Sequence, residues 1–141
     1  MRPCLLCGEP VELDPGFPPI RVVCQTCLPE VRGCGHYGLE GEPVSFWEWA
    51  GLMASGEQWV LYTGVVEPAD HDDDRATYVS TIWLGLDLAA DLLGRTPLIY
   101  ETMIFGGPHD QRQWRYPTRG AAVAGHDQAV ALARDAAGAR R

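Results

Sequence analysis

Residues 76–107 read ATYVSTIWLGLDLAADLLGRTPLIYETMIFGG, and the arrangement of the chain can be built outward from them. The runs from about Ala76 to Leu84 and from about Leu98 to Phe105 are rich in β-branched and aromatic residues, which fit the half-buried, pleated surface of a strand. Between them DLAADLLGR predicts a short helix, with Asp87 as its N-cap and Gly94 as its terminator. Upstream, EQWVLYTGVVE predicts a strand from about Gln58 to Val66, joined to the first run by the polar PADHDDDR. Downstream, a short strand is expected at Gln113–Tyr116, after which Thr118 caps a helix running to about Ala137. Ala122, His126, Ala129 and Ala133 share one face of that helix, with Val130 adjacent. Further upstream, SFWEWAGLMASG predicts a helix. Ser45 and Glu48 have capping-box spacing, Gly56 is the stop, and Phe46, Trp49 and Met53 share a face with Leu52 beside them.

The N-terminus carries a different signal. CLLCGEPVELDPGFPPIRVVCQTC, from Cys4 to Cys27, contains two Cys-x-x-Cys pairs separated by sixteen residues. Each pair lets two thiolates face one ion, and a hairpin between them, with strands near Val11–Leu13 and Ile20–Val23, would bring all four together. Gly8 suits the tight turn after the first pair. Cys4, Cys7, Cys24 and Cys27 thus make the tetrahedral sulfur set that zinc prefers, with a rubredoxin-like iron or iron–sulfur site as the chemical alternative. Four thiolates leave no open position, so the metal would be structural. Cys34 and His36 are the alternative ligands if one of the four does not bind. The expected fold class is α+β. A zinc-ribbon or knuckle module over 1–36 is followed by the connector HYGLEGEP. A domain over 43–137 then holds a helix, a three- or four-stranded antiparallel sheet and a C-terminal helix.

The formal net charge is −8, and all eleven basic residues are Arg. Nucleic acid is an unfavourable partner, because phosphate neutralisation needs cationic side chains in excess. Apolar runs such as Trp59 to Tyr62 are far too short to span a bilayer, and no secretory leader is apparent at the N-terminus. A cytoplasmic location is expected, where Cys-x-x-Cys pairs speak for metal rather than disulfides.

Other polar residues give weaker signals. Asp70 to Asp74 (DHDDD) could hold a divalent cation, yet the Gly and distal Glu of a calcium loop are missing, and a solvated loop is the simpler reading. An acid–base pair such as Glu101 with His126 has no spacing that favours it. Phosphate-loop, nucleophile-elbow and metalloprotease motifs are missing. The five Trp suit a core, with room for one or two at an interface.

Three motifs carry a family resemblance: Val79–Asp87 (VSTIWLGLD), Pro97–Phe105 (PLIYETMIF) and Tyr116–His126 (YPT followed by AVAGH). With them the chain resembles a family of small, uncharacterised actinobacteriophage proteins over roughly residues 76–132. Many members carry His after Gly-Leu-Asp, where this chain has Leu88; that departure speaks against shared His-dependent chemistry at the position. The resemblance raises Asp87, Glu101 and His126 as candidate functional residues, and Trp83 is a further candidate. It implies a phage-encoded accessory protein in the host cytoplasm; the acidic charge, the Trp content and the lack of a catalytic motif favour one that binds a host or phage protein. Three other readings stay open. One is a binder of a nucleotide-type ligand, with Arg75, Arg95, Arg112, Arg115 and Arg119 as phosphate clamps. The others are a metal-assisted hydrolase using the acidic loop and a minor virion component. Homo-oligomerisation is compatible with each.

Overall fold

The computed structural model describes residues 1–4, 7–12, 26–27 and 35–139. The element order is β1 (Arg2–Pro3), β2 (Pro10–Val11), α1 (Phe46–Ala54), β3 (Trp59–Val66), β4 (Thr77–Trp83), α2 (Leu88–Leu93), β5 (Tyr100–Phe105), β6 (Gln113–Tyr116) and α3 (Arg119–Ala139). The chain is α+β. A four-stranded antiparallel sheet in the order β3-β4-β5-β6 carries α3 against one face.

The period-two alternation of the strands accounts for that packing. Along β4 and β5, Val79, Thr81, Trp83, Tyr100, Thr102 and Ile104 are buried, and the residues between them are half-exposed. The register pairs Val79 with Ile104, Thr81 with Thr102 and Trp83 with Tyr100, which puts all six on one face. Against them lie Ala122, His126, Ala129, Val130 and Ala133 of α3, the helix stripe expected from sequence, each 7% exposed or less. Alanines at this spacing let the helix come close to the sheet. At Gly125 a Cβ would overlap the Tyr116 ring of β6, so the absence of a side chain sets the approach there.

The caps agree with the sequence. Ser45 and Glu48 form the capping box of α1, with both reciprocal bonds at 3.2 Å. Gly94 ends α2 in the left-handed region at φ 64°. Thr118 Oγ1 accepts from Ala121 N at 3.1 Å at the start of α3. On α1, Trp49, Leu52 and Met53 pack against the cluster around Trp83, Ile99 and Tyr100, while Phe46 stays 36% exposed.

One segment departs from its sequence reading. The Gly- and Pro-containing stretch 36–43 looks like a connector but is packed. Tyr37 is 4% exposed within the core cluster, and its N–H donates to Gly85 O at 2.8 Å. His36 bridges to Leu86 and Asp87 N donates to Gly35 O, so this stretch runs alongside the Leu84–Asp87 segment that follows β4. Aromatic burial outweighs the local turn signals.

β1 and β2 form a separate antiparallel pair, with Arg2 opposite Val11 and Pro3 opposite Pro10. The strand expected near Val11 is therefore present, paired with the chain's first residues. The strand expected at Ile20–Val23 lies outside the described residues. Among the described residues no helix is long and apolar enough to cross a membrane.

Candidate functional site

The β1–β2 hairpin presents the first Cys-x-x-Cys pair at its turn. Cys4 N donates to Glu9 O at 2.8 Å and Gly8 N donates back to Cys4 O at 2.9 Å, with Gly8 at φ 79°. That positive φ fits the tight turn expected at Gly8. The turn turns Cys4 and Cys7 toward Cys27, and the three Sγ atoms lie within 4.8 Å of one another. Cys4 is buried, Cys7 exposed and Cys27 in between. Three thiolates this close can hold a metal ion: tetrahedral zinc with Zn–S near ~2.3 Å separates its sulfurs by about 3.8 Å. Cys24 and Cys34 lie outside the described residues. His36 is not in this group; its ring lies 5.7 Å from that of Phe46 and 5.2 Å from that of Trp49.

The four candidates Asp87, Glu101, His126 and Trp83 are spread over the α+β unit. His126 is 2% exposed and held through both ring nitrogens: Nε2 lies 2.8 Å from Thr63 Oγ1, and Nδ1 lies 2.8 Å from Thr81 Oγ1. Thr81 Oγ1 is in turn 2.6 Å from Thr102 Oγ1. Burial pulls the His126 pKa below its ordinary value against the opposing pull of Asp127, so the ring is neutral at pH 7. The tautomer with the proton on Nε2 gives each buried donor an acceptor. In that tautomer Thr102 donates to Thr81, Thr81 to Nδ1, and Nε2–H to Thr63. His126 thereby ties α3 to β3, β4 and β5.

Glu101 lies on the opposite face of the sheet and does not meet His126. Its carboxylate accepts from Arg115 Nε at 3.1 Å, across the Glu101–Arg115 register pair, and Arg115 Nη1 also reaches Leu86 O at 3.1 Å. Asp87 caps α2 through Ala90 N and accepts from Leu98 N at 2.8 Å and from Arg95 Nη1 and Nη2 at 2.8 and 3.2 Å. Burial alone would raise its pKa; the bonds from Leu98, Arg95 and Ala90 prevail and lower it. Trp83 is fully buried, and its Nε1 donates to Gly38 O at 3.3 Å. Packing and hydrogen bonding thus occupy all four residues.

The acidic loop folds on itself. Asp73 accepts from Ala69 N and Arg75 N and pairs with Arg75 Nε at 3.0 Å. Its carboxyl is lowered to about 2, chiefly by the Arg75 side chain. Asp70 accepts from Asp72 N, while Asp72 itself faces solvent. Among the described residues only the cysteines converge as a metal-ligand group. The five arginines considered as phosphate clamps are also dispersed: Arg75, Arg95 and Arg115 pair with Asp73, Asp87 and Glu101, and Arg112 lies over the Trp114 ring.

What sequence reasoning missed is the second face of the sheet. It carries Trp59 and Tyr62 of β3, Tyr78, Ser80 and Ile82 of β4, and Met103 and Phe105 of β5, as the cross-strand register shows. Tyr62, Tyr78 and Phe105 form a row, with centroids 5.3 Å apart for the first pair and 4.8 Å for the second, whose rings are stacked at 13°. Trp59 is 69% exposed and Tyr62 68%. Among the described elements, α3 is the helix that lies along the sheet, and it covers the other face. The aromatic residues at alternate strand positions were the available signal, but which parity faces α3 is not readable from the strands alone. Comparison of the chain with family models, curated proteins and solved structures gives no match.

Proposed function

We propose that this chain is a binding protein that engages another protein through the uncovered face of its sheet, with a structural zinc fixing its N-terminal hairpin. The observation that carries the reading is the aromatic row Tyr62–Tyr78–Phe105, on the sheet face that no described helix covers. Aromatic rings on a rigid sheet offer large contact area at low entropic cost, and Trp and Tyr are enriched among residues that dominate interfaces. The inward-facing polar groups support the same reading, since their hydrogen bonds are spent within the fold. Zinc is supported by the sulfur-only donor set of Cys4, Cys7 and Cys27, with Cys24 as the fourth thiolate in a ribbon-like knuckle. Such a site is closed and supplies folding energy to a short segment that lacks a core of its own. Together with the phage-family resemblance, this describes an accessory protein acting on a host or phage protein in the host cytoplasm.

The test is site-specific photo-crosslinking in an actinobacterial host. A photoreactive residue at Tyr62, on the open face, should capture a defined protein that the same residue at exposed Arg134 on α3 does not. Capture should fall when Phe105→Ser interrupts the row. Equal labelling at both sites would overturn the reading. So would a nucleotide co-purifying with the protein, or turnover of nucleotides on addition of Mg²⁺ or Mn²⁺.

A further inference from the structure

The sheet has two edges, and that of β3 differs from the usual protected kind. At eight residues β3 is the longest strand of the sheet, and from Gln58 to Val66 it has no charge and no Pro. Natural edges are blunted by short strands, Lys, Pro or inward charges. Here blunting is limited to irregularities between Trp59 and Leu61 and between Gly64 and Val66, which leave Leu61–Gly64 as a regular run. No described strand pairs with the outer side of β3.

The two ends of the strand are acidic. Glu57 precedes it and Glu67 follows it, both exposed. The Glu67 carboxylate bends back over Gly64, occupying the place a Cβ would take there. Beyond it stand exposed Asp70, Asp72 and Asp74. No cation pairs with Glu57 or Glu67 among the described residues; Arg75, the nearest in sequence, is held by Asp73. This pattern bears on what fits the edge. A second copy pairing antiparallel about Tyr62 would place Glu57 against the other copy's Glu67 at both ends, and like charges opposed across strands destabilise pairing. A segment with cations at its ends meets carboxylates there instead.

We infer that the outer edge of β3 accepts an extended segment of a partner protein as a fifth strand of the sheet, and that this segment is uncharged in its middle and carries Lys or Arg at its ends. Main-chain hydrogen bonds along Leu61–Gly64 supply the pairing, Trp59 and Tyr62 contact its side chains on the open face, and the acidic flanks select its charge. The inference rests on the protein-binding reading and specifies its mode and the partner's chemistry.

The full-length protein is titrated with a synthetic peptide alternating Val and Thr between paired Arg residues, following Trp fluorescence and amide hydrogen exchange. The Arg-flanked peptide should bind and slow exchange of amides within β3. A Pro at its centre should abolish both effects. Replacing the terminal Arg by Glu should weaken binding about tenfold, as should Glu57→Gln combined with Glu67→Gln in the protein. Failure of the Arg-flanked peptide to bind overturns the inference, as does equal binding of the Pro-interrupted or Glu-flanked peptide. A dimer in sedimentation with β3 amides already protected also overturns it, since the occupant would then be a second copy. Edge failure with Tyr62 crosslinking intact leaves face binding standing; edge success with no crosslinked protein defeats the broader reading in the host alone.

Discussion

His126, 2% exposed between the hydroxyls of Thr63 and Thr81, is kept neutral by burial, and its stability contribution depends on pH in a definite direction. Its folded pKa is below the unfolded value near 6.5, so the unfolded chain binds the extra proton. The contribution is complete above about pH 6.5 and is lost as pH falls from there through the folded pKa, at up to about 1.4 kcal/mol per pH unit. Urea unfolding from pH 7.5 toward pH 5 should show this slope, and His126→Gln should remove it. His126→Ala leaves a cavity and the hydroxyls of Thr63 and Thr81 short of a partner, at a cost of about 3 kcal/mol. Asp87 has its own window: its carboxyl is lowered, so its contribution is present above the unfolded carboxylate pKa, near 3.8, and is lost as pH falls through the folded pKa. Asp87→Ala, which removes an N-cap and leaves Arg95 unpaired, should cost about 2 kcal/mol in denaturant titration. Arg95→Ala should cost less, because that side chain is 38% exposed. Sequence placed His126 on the buried helix face and Asp87 at a cap; their partners come from other strands and were invisible to local pattern.

At the scale of elements, α3 and β6 meet where Gly125 leaves room for the Tyr116 ring. Ala is the better helix former by about 1 kcal/mol, yet a Cβ here must displace the ring. Gly125→Ala should therefore destabilise by about 1 to 2 kcal/mol in the native chain and turn stabilising when Tyr116→Ala has removed the obstacle. A double-mutant cycle read by thermal unfolding checks the sign change. The helices were readable in advance because caps and periodicity act locally: Ser45 with Glu48, Asp87 with Gly94, and Thr118. β6 was readable at its full span, Gln113–Tyr116. The packing of residues 36–43 was not, since Tyr37 finds its burial against Trp83 and Ile99, far along the chain.

For the whole molecule, the sheet and α3 have a core built on Val79, Trp83, Ile99 and Ile104, and no described residue of the cysteine hairpin is among the residues that form it. Chelation at neutral pH, or Cys7→Ser, should release about one zinc per chain and loosen the hairpin around Gly8. Far-ultraviolet dichroism from the sheet and α3 should persist; its collapse on metal loss would show that the two parts fold as one. Metal analysis with dichroism on the same sample decides between these outcomes. Sequence by itself determined the approximate spans of α1 to α3 and β3 to β6, the inward stripe of α3 and the Cys-x-x-Cys spacing of Cys4 and Cys7, because capping, periodicity and motif spacing are local properties of the chain. Only the tertiary structure decided that Glu101 and His126 stand on opposite faces, that Asp73 and Asp87 are occupied by arginines, and that Tyr62, Tyr78 and Phe105 line a face that no described helix covers, beside an edge that no described strand pairs. Those depend on strand register and on which face the helix covers, and both are set by contacts between residues distant in sequence.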